Sequence, residues 1–554
     1  MSVPLCLFVT TCCLTSACAQ FVDVASQHGI ANINEGTYDG NGVSWYDFNY
    51  DGWDDLTLAN GDEGLLFFVN DNGSLVETEL NLPIEPIAHV IMVLWADYDN
   101  DGDADLVTTQ LGGHLQLWEN DGSFNFTDIS TSVGLDTGIR EWWGAAFCDY
   151  DHDGFLDLYV AKYYDWLNNF DPDHESILYH NEGDGTFADV TISAGVHLPP
   201  QATFQPVWFD YNDDGWEDLF LVIDRIVWEN RLYLNNGDGT FTDVSAASDL
   251  DVKINSMTGS ICDYDNDLDF DLYVTNGPTH NYLFNNQDDG TFIETTYAAG
   301  LQVDKTSWGA QWLDYDNNGW ADLFVGTTGA FFGGGEQNRF YENNQDGTFS
   351  DMTFSSGIWG DESPAMVSAM GDFNNDGYYD FATNCNDPFL SSLWQNDGGN
   401  NHYLSVSLEG VIANRDGIGS KLTCWVDGDA FVRYTHCGED LAGQASRKEI
   451  FGIGAATLVD SLRIDWNSGT VDIHYDILPD QHLQLTEGQA FCQYDQCSCM
   501  GDFNGDHSID IPDLLMFLTG MGCSGICPYD LDGDSNTNSS DILLFLSVIG
   551  TICP

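Results

Sequence analysis

Seven stretches of this chain set oxygen-bearing side chains at alternate positions around a glycine. They read DFNYDGWDDL from Asp47, DYDNDGDADL from Asp97, DYDHDGFLDL from Asp149, DYNDDGWEDL from Asp210, DYDNDLDFDL from Asp263, DYDNNGWADL from Asp314 and DFNNDGYYDF from Asp372. Places 1, 3, 5 and 9 are always Asp or Asn, place 2 is always Tyr or Phe, and place 6 is Gly in six of the seven copies. A solvated acidic run would not keep that alternation. A divalent cation explains it, because calcium takes six to eight oxygen ligands at about 2.3–2.6 Å. Side chains at places 1, 3 and 5 converge as the chain curls, Gly permits the sharp turn, place 7 offers its carbonyl, and place 9 closes the cage.

The expected ligands follow copy by copy. The first loop supplies Asp47, Asn49, Asp51 and Asp55, and the second Asp97, Asp99, Asp101 and Asp105. The third supplies Asp149, Asp151, Asp153 and Asp157, and the fourth Asp210, Asn212, Asp214 and Asp218. The fifth supplies Asp263, Asp265, Asp267 and Asp271, with Leu268 at the glycine place. The sixth supplies Asp314, Asp316, Asn318 and Asp322, and the seventh Asp372, Asn374, Asp376 and Asp380. About seven calcium ions are therefore expected here.

Two further loops after residue 500 have a different, twelve-residue spacing. Asp502, Asn504, Asp506, Ser508, Asp510 and Asp513 fill places 1, 3, 5, 7, 9 and 12 of one; Asp530, Asp532, Asp534, Asn536, Asn538 and Asp541 fill those of the other. This is EF-hand spacing, and each loop leads into a short apolar stretch, LLMFL or ILLFL, read as a helix. Two more calcium ions are expected there.

The seven nine-residue loops are not EF-hands, since their flanks read as strands. GVSWY, IMVLWA and QPVWF precede them and DLYVA, DLFLV and DLFVG follow, all short, β-branched or aromatic. After each loop comes a segment such as LYLNNGDGTFTDVS, a strand, an Asp-Gly turn and a second strand. Each unit thus holds about four strands, one propeller blade. The period of roughly 50 residues marks a repeat architecture. The seventh unit lacks its TFTDVS strand, and FVDVASQHGI near the N-terminus matches it. The first strand is expected to complete the last blade and so protect the edges.

The pattern resembles the FG-GAP/VCBS repeat propellers, also found in integrin α-chains, over about residues 21–400. That resemblance implies ions that rigidify blade loops and a face or rim that binds a partner. Residues 401–488 read as a small β domain by their alternation. Arg415, Asp416, Gly417, Gly419, Phe451, Gly452, Gly454, Asp460, Trp466, Ser468 and Gly469 resemble the ASPIC/UnbV pattern that follows such propellers in the cartilage acidic protein-like family, with Asn467 where the family has Pro. Residues 489–554 resemble a type I dockerin, which implies a cohesin-like partner; a calcium-bound cap without a partner is the alternative. The expected fold is thus mainly β: a seven-bladed propeller (20–400), a small β domain (401–488) and a small α-helical double-loop module (489–554).

The chain has 554 residues and a formal net charge of −77, from 90 acidic and 13 basic side chains. Nucleic acid and anionic membrane surfaces would be repelled. Val3–Leu14 is apolar and ends at Ala17-Cys18-Ala19, which reads as a secretory signal over residues 1–19 and an extracellular or cell-surface location. Export permits disulfides. Six cysteines crowd after residue 490 and are read as staples of the C-terminal module, and Cys424 and Cys437 as a pair within a hairpin; Cys148 and Cys262 read as small buried core residues. No G-x-S-x-G, HExxH, Walker loop or Cys/His zinc cluster occurs, so no catalytic residue is assigned. Trp142 and Trp143 could stack on a sugar or pack in a core. The favoured reading is a secreted, calcium-binding adhesion or recognition protein whose partner is an extracellular protein or glycan. The alternative is a polysaccharide-degrading enzyme, or a cellulosome-like component, on a propeller scaffold.

Overall fold

In a computed structural model, the segments before each aspartate loop form strands buried on both faces. His89–Ala96 (HVIMVLWA) is buried at all eight positions, and Thr203–Phe209 at all seven. A strand covered on both sides needs such a continuous apolar run, and each fully buried large side chain contributes about 1.5–3 kcal/mol. The structure describes residues 21–489 apart from 31–41, 62–63, 81, 83–88, 164–174, 329–336, 362 and 386–388, together with 514–515 and 517–518.

The described chain is mainly β. Each repeat folds as four antiparallel strands: inner strand, aspartate loop, second strand, and a hairpin. In the fourth repeat these are Thr203–Phe209, Asp218–Ile223, Arg231–Asn235 and Phe241–Asp243. The fifth and sixth repeats copy it. The second and third do so too, but they merge into one eight-stranded sheet where Arg140 and Glu141 pair with Gly113 and Leu111. The seventh repeat supplies only Val367–Gly371, Asp380–Asn384 and Ser392–Asn396; Phe21–Asp23 pairs with the last, Phe21 opposite Asn396. Each inner strand packs on the next in chain order, and the inner strand of the seventh repeat packs on Val43–Tyr46 of the first.

The chain divides into two compact units, 1–489 and 490–554. Residues 401–488 share the first unit with the repeats. They form one sheet from His402–Glu409, Glu449–Gly454 and Gln481–Thr486, and another from Lys421–Val426, Asp429–Tyr434, Val459–Asp465 and Val471–Ile477. Between Tyr434 and Glu449 the chain leaves these sheets and runs among the inner strands of the repeats. Gly443–Gln444 pairs in parallel with Val43 and Ser44. Gln444 takes hydrogen bonds from Ser44 Oγ (2.6 Å) and the Trp95 N–H (2.8 Å), and donates to the Trp95 carbonyl (2.7 Å). The Phe147 N–H donates to the Cys437 carbonyl (3.1 Å). Asp440 accepts from Thr258 Oγ1 (2.7 Å), the Ser368 N–H (2.9 Å) and Ser368 Oγ (3.0 Å). One short segment therefore fills the space framed by strands from five repeats.

The expected Cys424–Cys437 disulfide is corrected: both thiols are free and buried. Cys424 sits in the hairpin opposite Phe431. Cys437 lies beyond the hairpin, in the inserted segment, where its Sγ points at the Trp95 carbonyl (3.5 Å). Cys148 and Cys262 form no disulfide either. Trp142 and Trp143 are core residues, with Trp143 packed on Phe204 at 4.5 Å between ring centroids. In the second unit, Leu514, Leu515, Phe517 and Leu518 are helical. The signal segment, the two twelve-residue loops and the six cysteines after residue 490 lie outside the described residues.

Candidate metal sites

All seven nine-residue loops share one hydrogen-bond frame. The N–H of place 5 donates to one oxygen of the place-1 aspartate at 2.9–3.1 Å. The N–H of place 6 donates to the other at 2.7–3.1 Å. The place-9 aspartate accepts the N–H of an Asn in the following hairpin at 2.7–2.8 Å, from Asn70 in the first repeat to Asn396 in the seventh. The side chains at places 1 and 9 are thereby fixed before any ion is considered.

These frames bring carboxylates together with too few donors. Asp97, Asp99 and Asp101 converge, as do Asp149, Asp151 and Asp157, Asp263, Asp265 and Asp271, and Asp314, Asp316 and Asp322; within each group the ligand oxygens lie within 4.8 Å of one another. The first, fourth and seventh loops carry Asn at place 3, so each brings one carboxylate fewer. Buried oxygens of Asp55, Asp105 and Asp380 at place 9, and of Asp151 and Asp265 at place 3, have no hydrogen-bond partner. An unsatisfied buried carboxylate oxygen is costly, and five of them at equivalent places fit a cation ligated there. Burial first, then neighbouring aspartates, pushes Asp105 and Asp218 up to about 9 and Asp55 to about 8. Asp157, Asp271, Asp322 and Asp380 are likewise held well above the usual carboxylate range, by burial first and neighbouring aspartates second. His180 joins the third loop, its Nε2 2.9 Å from Asp151 Oδ2; no spacing in the repeat points to this neighbour.

Place 6 is left-handed throughout, from φ 80° at Leu268 to φ 98° at Gly102. A non-glycine residue in that conformation costs roughly 1–2 kcal/mol. Leu268→Gly should remove this strain, offset in part by the greater freedom of unfolded glycine. The variant is expected to gain about 1 kcal/mol by urea unfolding and to bind calcium more tightly at the fifth loop; unchanged or lower values for both would contradict it. Place 4 is left-handed in every loop too, from Tyr50 to Asn375. Its Asn side chains reach the place-6 carbonyl of the next loop: Asn100 to Gly154 (2.9 Å), Asn266 to Gly319 (3.3 Å), Asn317 to Gly377 (2.8 Å) and Asn375 to Gly52 (3.1 Å).

The middle segment lies over this face and touches every loop. Arg415 Nε approaches Asp97 Oδ2 at 3.4 Å. Asp416 accepts from the Asp97 N–H (3.1 Å), Tyr46 and Arg447. Lys421 Nζ reaches Asp213 Oδ1 (2.6 Å) and the Leu268 carbonyl (3.4 Å). Lys448 Nζ reaches the Gly52 carbonyl (3.0 Å) and Asn375 Oδ1 (2.8 Å). Asn467 donates to the Asp149 carbonyl (3.1 Å), and the Gly454 N–H to the Asn317 carbonyl (2.8 Å). Gly452 lies so close that a Cβ there would come within 2.0 Å of Asp314 Oδ2. Six of the chain's thirteen basic residues lie in this segment, opposite loops that concentrate its acid.

Comparison with known proteins agrees with this division. Residues 47–108, 97–160, 210–274 and 263–325 match the FG-GAP-like repeat, and residues 410–491 match ASPIC and UnbV. Cartilage acidic protein 1 of Homo sapiens is 29% identical over 161 residues, 27% of this chain and 24% of that protein; the Mus musculus protein matches equally. The chain thus spans about a quarter of the curated relatives it matches. A crystal structure of BBS1N in complex with ARL6DN covers 69% of this chain and 96% of that one at 10% identity, with a TM-score of 0.39, too low to carry an argument. Repeats of the FG-GAP type followed by an ASPIC and UnbV segment, similar in part to cartilage acidic protein 1, are what this chain is built from.

Proposed function

We propose that this chain is a secreted, calcium-binding recognition protein without catalytic activity. Its seven repeats close into a seven-bladed propeller over residues 20–400, sealed by Phe21–Asp23 and capped on the loop face by residues 401–488. Each loop holds calcium through the aspartates and asparagines at places 1, 3, 5 and 9, and residues 489–554 dock a further protein. The observation that carries this reading is the set of unpartnered, buried carboxylate oxygens repeated at equivalent places. The capping segment lies across the loop face and fills the space between the inner strands. Recognition of an extracellular protein or glycan therefore falls to the outer hairpins and rim, where Tyr297, Phe354 and Trp359 are exposed. Among the described residues no helix is long and apolar enough to cross a membrane.

The test is a glycan and extracellular-protein binding screen with the full chain, run with calcium and after EGTA treatment. Binding that is present with calcium and lost on chelation is expected. A partner bound equally well after chelation, or turnover of a polysaccharide by the calcium-loaded chain, would overturn the reading.

A further inference from the structure

A second kind of site lies inside the first unit, beneath the capping segment. Arg433 is the next-to-last residue of the hairpin strand Asp429–Tyr434, His436 and Glu439 follow on the inserted segment, and Glu449 starts the strand Glu449–Gly454. Together they line a cavity of about 130 Å³, whose wall includes Trp208 and Trp312. A cavity of about 150 Å³ accepts benzene, so this one suits a molecule of roughly six to eight heavy atoms.

Its charged groups line one space and feel one another without closing a direct ion pair, and the Arg433 guanidinium lies 5.3 Å from the centre of the Phe451 ring. Arg433 donates from Nε to the Ile450 carbonyl (3.2 Å) and from Nη1 to the Val432 carbonyl (2.9 Å), and no carboxylate of a described residue lies within ion-pair distance of it. The rest of its planar fork is available for a carboxylate, the group it matches in two-point contact. Glu439 accepts the Ala445 N–H (3.0 Å), with the Gly438 N–H and its own N–H also acting on its carboxyl; Glu449 feels the Arg433 charge, but among the described residues neither carboxyl has a cation within ion-pair distance. Trp208 Nε1 is a buried donor with no acceptor, on a side chain only 6% exposed. The Trp208 N–H is a costly orphan unless something in the cavity meets it, and the half-buried Arg433, Glu439 and Glu449 place one cationic and two acidic groups around the same space. A metal ion is not that something, because Glu439, Glu449 and His436 do not converge as the loop aspartates do. Burial keeps His436 neutral, lowered to about 4.

We propose that this cavity binds a small zwitterion of amino-acid size. Its carboxylate sits on the Arg433 guanidinium and the Trp208 N–H, its ammonium on Glu439 and Glu449, and its carbon skeleton against Trp312.

The test uses the full, calcium-loaded chain and isothermal titration with glycine, β-alanine and 4-aminobutyrate. Acetate and methylammonium serve as half-ligands. Saturable binding of at least one zwitterion, at least tenfold tighter than either half-ligand, is expected. Arg433→Met and Glu449→Gln should each weaken it at least tenfold. Trp208→Phe, which keeps an aromatic ring but removes the N–H and part of the ring volume, should weaken it severalfold while the calcium-induced rise in unfolding midpoint persists. No saturable zwitterion binding, or binding indifferent to Glu449→Gln and Trp208→Phe, would mean that the cavity holds water only and would overturn the proposal. Because the calcium-dependent midpoint is read in the same samples, the two readings fail separately.

Discussion

At pH 8, the metal-free chain should unfold at least about 10 °C below the calcium-loaded chain, and by pH 5 that gap should narrow. An ion bound only by the folded state stabilises it by about 2.7 kcal/mol per site at a hundredfold excess over Kd. A few such sites acting on one cooperative unit reach a shift of that size. The pH trend follows from the carboxylates. In the metal-free chain, burial first and like charge second raise Asp97, Asp263, Asp314 and Asp372 to about 7, Asp55 and Asp149 to about 8, and Asp105 and Asp218 to about 9. An acid held above its unfolded value contributes stability that is complete below about pH 4 and is lost as pH rises through the folded value. Metal-free protein should therefore weaken steadily between pH 5 and 9. Calcium needs the ionised form, so its affinity rises over the same range. Scanning calorimetry of EGTA-stripped, dialysed protein with and without added calcium at each pH measures the gap. Coincident midpoints at pH 8 would remove calcium from the account of the fold.

Asp440→Ala should be the most damaging single substitution in the capping segment, at about 3–5 kcal/mol. Asp440 is 1% exposed and joins two inner strands that are far apart in sequence. Removing its carboxylate strands the Ser368 N–H and the Thr258 hydroxyl in a dry interior. Asp460→Ala, at an exposed position of the same segment, should stay within about 0.5 kcal/mol. Urea unfolding followed by tryptophan fluorescence compares the two. Equal losses would show that the inserted segment does not brace the repeats.

The aspartate loops are legible in the sequence because ligand chemistry and one turn fix residue type at most of their places. The four-strand unit is legible for a similar reason: the Asp-Gly turn and the apolar runs on either side leave little choice. Two features of the same loops were missed although the sequence carries them. Place 4 is Asn or Asp in five of seven copies, the residues that best tolerate a left-handed backbone. The strand that enters every hairpin turn also ends in an Asn. In six repeats, such as Asn235 to the Tyr150 carbonyl (2.8 Å) and Asn70 to the Phe373 carbonyl (2.7 Å), its side chain reaches the place-2 carbonyl of the neighbouring repeat. The path of residues 436–447 could not be read, because its partners lie up to 400 residues away and alternation says nothing of where a strand docks. The concentration of basic residues in 401–488 as a whole, six of the chain's thirteen, was the one available hint that this part faces the acidic loops. The supposed Cys424–Cys437 pair failed for the same reason: nearness in sequence was taken for nearness in space.

The strand Phe21–Asp23 must wait for its partner. Asp23 and Leu393, joined by a hydrogen bond, are 370 residues apart. At a synthesis rate of about 10 residues per second, the first strand spends more than half a minute outside the ribosome before that partner exists. Throughout that time Phe21–Asp23 has no strand to pair with, and each end of the growing series leaves the apolar face of a sheet uncovered, the kind of surface on which neighbouring nascent chains associate wrongly. The acidic loops arrive in sequence during the same interval. Their mutual repulsion holds nascent copies apart until the last repeat emerges, so the negative charge that the finished molecule must neutralise also guards its assembly.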